Sequence, residues 1–222
     1  MVVVHHLNQS RSQRVLWLLE ELGVPYEVQR YERDPKTMLA PPALRQVHPL
    51  GKSPVITDGE LTLAESGAIL EYLVQRYGEG RLRPAPGTPE AIRYLYWMHY
   101  AEGSLMPPLL LKLLFEQVGK AKMPFFAKPV AKAIAAKGLA GFVHPQLERH
   151  LDYLEQELGR ATWFAGEELT AADVQMSFPI EAAQARADLS HRPRLRAFLE
   201  RVHARPAYQR AAKKVGDFGV LG

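Results

Sequence analysis

Lys52-Ser53-Pro54-Val55-Ile56-Thr57-Asp58-Gly59-Glu60-Leu61-Thr62-Leu63-Ala64-Glu65-Ser66 holds the order of elements that decides the fold. Val55-Ile56-Thr57 and Leu61-Thr62-Leu63 are short strand-forming runs about Asp58-Gly59-Glu60, a turn signal, so an antiparallel hairpin is expected. Pro54 cannot donate to a ladder and suits a cis peptide that turns backbone groups outward. From Glu65 to Tyr77 the apolar positions Ile69, Tyr72, Leu73 and Tyr77 follow helical spacing, and Gly78 ends the run.

Upstream, Val2-Val3-Val4 reads as a buried strand that stops at His6-Leu7-Asn8-Gln9-Ser10. Val15, Leu18, Leu19 and Leu22 then form one face of a helix, with Glu20 and Glu21 facing out and Gly23 supplying the left-handed C-terminal residue. Tyr26-Glu27-Val28 is a second strand, and a right-handed βαβ crossover makes the pair parallel. Pro35, Pro41, Pro42 and Pro49 mark a loop before the hairpin. The order is β-α-β, loop, β-β-α, an α/β unit over residues 1–80.

Between Gly78 and Pro89 lie three glycines and three prolines, the composition of a linker, placed at 81–87. From 88 to 222 helical periodicity dominates, so an all-α domain is expected. Thr88 caps a helix with Pro89 in its first position, and Leu169-Thr170-Ala171-Ala172-Asp173-Val174 carries a capping box and staple pattern, read as fold architecture. Charge divides at the same place. Residues 1–80 carry 8 Lys+Arg and 10 Asp+Glu, and the remainder 20 and 14.

The composition, 47% hydrophobic and 23% charged, is that of a globular protein and excludes disordered, collagenous and disulfide-scaffold classes. With no cysteine, any thiol chemistry must come from a ligand. No basic stripe interleaves with stacking aromatics, so nucleic acid is not an expected partner. Leu105 to Phe115 is cut by Pro107, Pro108 and Lys112 and no leader pattern opens the chain, so the expectation is a cytoplasmic protein without a membrane span. Lys120 to Lys137, with Phe125-Phe126 between lysines, reads first as a solvated basic face and second as a membrane-surface contact. His5 and His6 alternate across a strand, and His144 and His150 do not share a helical face, so no metal site is expected.

Asn8-Gln9-Ser10-Arg11-Ser12 joins the first strand to the first helix, where unpaired N–H groups and the dipole favour an anion. Ser10 or Ser12 can equally be a plain helix cap. Glu65-Ser66 opens a second helix, and Lys52 adds a cation nearby.

Ser10 to Val15, Leu18 to Glu27, His48 to Pro54 and Asp58-Gly59 through Leu63-Ala64-Glu65-Ser66-Gly67-Ala68-Ile69-Leu70-Glu71-Tyr72-Leu73, in this order, resemble the glutathione S-transferase superfamily. The likeness is to a cytosolic, bacterial-like type with a serine/asparagine loop in place of a tyrosine or cysteine. It implies a thioredoxin-like N-terminal domain that binds glutathione and an all-α helical-bundle domain that shapes an electrophile pocket. Glutathione is then the co-substrate, with no other cofactor, and a homodimer is the implied assembly. Carried over by position, Ser53 before Pro54 pairs its backbone with the cysteinyl part of glutathione. Glu65 and Ser66 hold the γ-glutamyl end, and Lys52 the glycine carboxylate.

In the family the thiol-activating group is Tyr, Ser or Cys. Here it falls to the Asn8–Ser12 loop. Placing Arg14 on the family's arginine puts the serine at Ser10 in one class pattern and at Gln9 in another; Ser10 is taken, with Asn8 and Ser12 as substitutes. Lowering a thiol pKa of ~8.5 by roughly 2 units needs about 2.7 kcal/mol. One hydrogen bond to charged sulfur, roughly 1.5–3 kcal/mol, and a helix N-terminus, about 0.3–1, can supply it. Tyr100, Ser104, Leu105, Met106 and Met176 are expected in the electrophile pocket.

The expected activity is detoxifying transfer of glutathione to small hydrophobic electrophiles. A glutathione-dependent disulfide or peroxide reductase without a protein thiol is an alternative. So is a non-catalytic interaction module, which retention of Lys52, Glu65, Ser66 and the hydroxyl loop disfavours.

Overall fold

The computed structural model describes residues 1–216 and 218. Residues 217 and 219–222, the end of the expected helical domain, lie outside them. Four strands, β1 (Val2–Leu7), β2 (Tyr26–Tyr31), β3 (Val55–Asp58) and β4 (Leu61–Ala64), form one sheet in the order β2-β1-β3-β4. β1 pairs parallel with β2, Val4 opposite Val28, and antiparallel with β3, Val4 opposite Ile56. β1 and β2 both run beyond their apolar runs, because pairing along the full register satisfies the backbone through His5, His6 and Leu7.

α1 (Ser12–Leu22) crosses between β1 and β2 and packs with α3 (Ser66–Tyr77). Gly23 ends α1 at φ 70°, with open space where a Cβ would stand. The requirement there is conformational, since L side chains resist the left-handed region. The proline-rich loop holds a short helix, α2 (Pro42–Val47), that periodicity does not reveal in six residues.

Residues 78–88 carry no helix or strand, and Thr88 accepts the Ala91 amide at 3.2 Å to start α4 (Pro89–Tyr100). A π-helical turn, Ala101–Leu105, leads into α5 (Met106–Lys120). A second one, Leu139–Val143, joins α6 (Lys128–Gly138) to α7 (His144–Glu157). Each π turn directly precedes prolines, Pro107-Pro108 and Pro145, whose missing N–H and ring crowding are relieved by local widening.

α8 (Ala171–Arg186) is the axis of the helical domain and is buried on all sides from Ala171 to Ala183. Asp173 accepts the Thr170 amide and hydroxyl at 2.8 and 2.9 Å and the Phe164 amide at 2.8 Å, so the capping box also ties down the loop before it. α9 (Pro193–His203) and α10 (Pro206–Val215) complete the domain. Glu20 and Glu21, expected to face solvent, are instead mostly covered by α10: Glu20 pairs with Arg210 at 2.7 Å and Glu21 with Arg205. Partners nearly two hundred residues away leave no local trace in the sequence.

The strand alternation separates the paired histidines. His5 Nδ1 meets the Tyr31 hydroxyl at 3.0 Å, whereas His6 Nδ1 meets Ser12 Oγ at 2.8 Å where α1 begins. Burial lowers the His6 pKa from 6.5 to about 4, and the charge of Arg30 adds to this. The unfolded chain therefore takes up the proton first as pH falls. The His6 contribution to stability is fully present above about 6.5 and is lost toward about 4. The difference amounts to about 3 kcal/mol. Urea unfolding followed from pH 7 to pH 4 is expected to show this loss, and His6→Asn, which cannot titrate, to flatten that part of the profile.

Candidate active site

Two adjoining hollows lie where the β1–α1 loop, the Ser53–Pro54 turn and the start of α3 meet the helical domain. One, of about 170 Å³, is lined by Arg11, His48, Leu50, Lys52, Ser53, Pro54, Ala64, Glu65, Ser66 and Glu102. All five residues expected to bind glutathione, Lys52, Ser53, Pro54, Glu65 and Ser66, therefore line one concavity. The Ser53–Pro54 peptide is cis. Glu65 holds φ 73°, a backbone conformation costly for a residue with a Cβ. It turns the chain from β4 into α3, placing Ser66, which is buried, at the helix N-terminus.

The second hollow, about 110 Å³, shares Arg11 and Ser53 with the first and adds Gln9, Ser10, Arg33, Met106, Leu109, Leu110, Leu113, Phe178 and Arg186. Ser53 thus stands at the junction. Its hydroxyl donates to the His5 carbonyl at 3.0 Å, while Ser10 Oγ lies 3.2 Å away. Ser10 Oγ also lies 2.7 Å from Ser12 Oγ, which meets His6, so a chain of polar groups runs His6, Ser12, Ser10 toward the cleft.

This geometry separates the three loop candidates. Asn8 directs its side-chain oxygen to the Arg33 amide at 2.9 Å and its carbonyl to Arg33 Nε at 3.1 Å, which holds the loop against the end of β2. Ser12 is fully buried. Ser10 lines the cleft, and Gln9, at φ 50°, lines it beside Ser10. The helix-cap alternative has a limited counterpart, since the Ser12 amide donates to Ser10 Oγ at 3.3 Å.

Of the residues expected around the electrophile, Met106 alone lines this cleft. Leu105 and Met176 are core, Tyr100 is buried with its hydroxyl on His150, and Ser104 lies in the π turn without lining the hollow. Tyr100, Leu105 and Met176 are taken up by the core, and the apolar wall of the hollow is made by Met106, Leu109, Leu110 and Leu113 of α5 with Phe178 of α8.

Arg14, also unforeseen in this role, is fully buried and joins the two domains under the cleft. Its Nη1 donates to Glu102 at 2.6 Å and Gln175 at 2.9 Å, and its guanidinium lies 5.1 Å from the Phe178 ring centre. Arg11 Nε stands 3.1 Å from the same carboxylate. Burial pushes the Glu102 carboxyl up, but Arg14 and Arg11 outweigh it and hold it below the usual range. Glu102 thus stays ionised. Among the described residues no group of three or more His, Cys, Asp or Glu is placed to hold a metal.

Comparison with known proteins identifies the family. Residues 1–75 match "Glutathione S-transferase, N-terminal domain" and residues 121–206 match "Glutathione S-transferase, C-terminal domain". Glutathione S-transferase 3 of Schizosaccharomyces pombe is 40% identical over 98% of this chain and 89% of its own. Glutathione S-transferase 1 of Saccharomyces cerevisiae is 31% identical over 99% and 97%. A crystal structure of a glutathione S-transferase from Actinobacillus pleuropneumoniae superposes with a TM-score of 0.83 at 34% identity, covering 98% of this chain and 94% of that one. A thioredoxin-like sheet, a helical second domain and full-length likeness lead to one conclusion: this chain belongs to the glutathione S-transferase superfamily.

Proposed function

We propose that the protein is a glutathione transferase of the serine type, in which Ser10 stabilises the thiolate of bound glutathione for attack on a small apolar electrophile. The observation that carries this reading is the position of the Ser10 hydroxyl, beside Ser53 at the junction of a polar hollow and an apolar one. In the polar hollow Ser66 and Glu65 take the γ-glutamyl end at the start of α3. Lys52 takes the glycine carboxylate, and the backbone of Ser53 before Pro54 takes the cysteinyl unit. The sulfur then faces Ser10.

Neutral His6 donates from Nδ1 to Ser12 and Ser12 donates to Ser10, so the Ser10 proton, which otherwise goes to Ser53 Oγ, is the one turned to sulfur when glutathione binds. Asn8 and Ser12 hold the loop and need not touch the ligand. In the apolar hollow Met106, Leu109, Leu113 and Phe178 receive the electrophile. Arg33 and Arg186 favour acceptors that gain negative charge as the bond to sulfur forms. The reaction is detoxifying, and it belongs in the cytoplasm, where glutathione is kept reduced.

The division is residues 1–80, linker 81–87 and a helical domain 88–222, with the polar hollow lined by the first unit apart from Glu102 and the apolar hollow shared by both. A homodimer suits the α3–α4 face, where a 750 Å³ groove includes Ala68, Glu71, Ile92 and Leu95. Ile92 and Leu95 are 69% and 52% exposed, and Ala68 allows close approach.

Calorimetric titration with glutathione tests the first assignment. Ser66→Ala and Glu65→Ala are each expected to raise Kd about tenfold or more, the loss of one charge-assisted contact; wild-type affinity in both rejects it. Sedimentation tests the second. The wild type is expected to be a dimer at micromolar concentration and Ile92→Asp/Leu95→Asp a monomer, whereas a monomeric wild type rejects the assembly.

A further inference from the structure

α5 and α6 form a close hairpin on the far side of the electrophile cleft. A Cβ on Gly138 would meet the Phe115 ring at 2.7 Å, and one on Gly119 would meet Ala135 at 3.8 Å, so the facing sides are spent on each other. The outer side is not polar. Phe125 and Phe126, at the tip, are 88% and 70% exposed and lie edge to face with ring centres 5.7 Å apart. Val130 and Ile134, four apart and thus on one helix face, are also exposed.

The charge around this apolar surface has a single sign. Residues 117–147 contain Lys120, Lys122, Lys128, Lys132 and Lys137 and no Asp or Glu. All five lysines are exposed, and among the described residues none lies within 4.0 Å of a carboxylate. A merely solvated basic face accounts for the lysines but not for two phenylalanines in water. A second copy of this surface would bring like charges together. An anionic lipid leaflet complements both features, as headgroup phosphates pair with lysines and the acyl boundary accepts apolar tips.

We propose that the tip of the α5–α6 hairpin is a membrane-surface contact, with Phe125 and Phe126 inserted into an anionic leaflet and the five lysines on its phosphates. This is peripheral attachment, since no described helix is long and apolar enough to cross a membrane. Its use rests on the transferase reading: α5 runs from the lipid contact to Leu109 and Leu113 of the cleft, which suits electrophiles that partition into bilayers. The attachment itself does not depend on that reading.

Vesicle co-sedimentation of the full chain is the test, with phosphatidylcholine alone and phosphatidylcholine mixed with phosphatidylserine. Binding to the anionic vesicles is expected, weakening with salt. It should fall about tenfold or more in Phe125→Ser/Phe126→Ser and about fivefold for each Lys→Gln at 128 or 132. Transfer to a water-soluble electrophile should be unchanged in the phenylalanine variant. If that variant fails to fold, the lysine variants decide alone. Absence of binding to anionic vesicles overturns the proposal, as does equal binding by the variants. A wild type that sediments as a larger species than Phe125→Ser/Phe126→Ser also overturns it, because a second copy would then cover the surface.

Discussion

The ion pair of Arg14 with Glu102 is the constraint on which the site depends. A guanidinium with no exposed surface is costly to bury, and its position is tolerable only because a carboxylate from the π turn and the Gln175 amide from α8 meet it there. It couples three elements of two domains at the floor of the cleft. α1 carries Arg14 and begins just after Ser10, so this contact, one of several that join α1 to the helical domain, lies beside the Ser10 hydroxyl and the apolar wall. Removing Glu102 would leave a buried charge uncompensated, a larger loss than the pair's own net worth.

Local rules explain why much of the fold was legible in sequence. The β3–β4 hairpin, the left-handed Gly23, the Thr88 cap and the Thr170/Asp173 box each depend on residues within a few positions of one another. What escaped depends on distance or phase. α2 is too short for periodicity to register. Glu20 and Glu21 look like a solvent face until α10 returns to cover them. The π turns add a residue to a helical count that assumes 3.6 per turn.

The loop Asn8–Ser12 shows the same limit at the scale of single atoms. All five residues there have side chains able to stabilise an anion, and composition cannot rank the candidates Asn8, Ser10 and Ser12. Their partners differ: Asn8 is engaged by Arg33 from the end of β2, and Ser12 is enclosed with His6 from β1, while Ser10 lines the cleft beside Gln9. By contrast the nearness of the residues expected to bind glutathione was readable, because Ser53-Pro54 and Glu65-Ser66 flank the same two-stranded hairpin. Pairing Val55 with Ala64 brings those two dipeptides side by side.

The central claim, that the Ser10 hydroxyl stabilises the sulfur anion, is tested most directly by ultraviolet absorbance titration of enzyme-bound glutathione. In Ser10→Ala the pKa of the bound thiol is expected to rise by about 1–2 units relative to wild type, the loss of one hydrogen bond to a charged sulfur, while glutathione affinity changes little. An unchanged pKa in Ser10→Ala, with a raised one in Asn8→Ala, would contradict the account and assign the role to the amide.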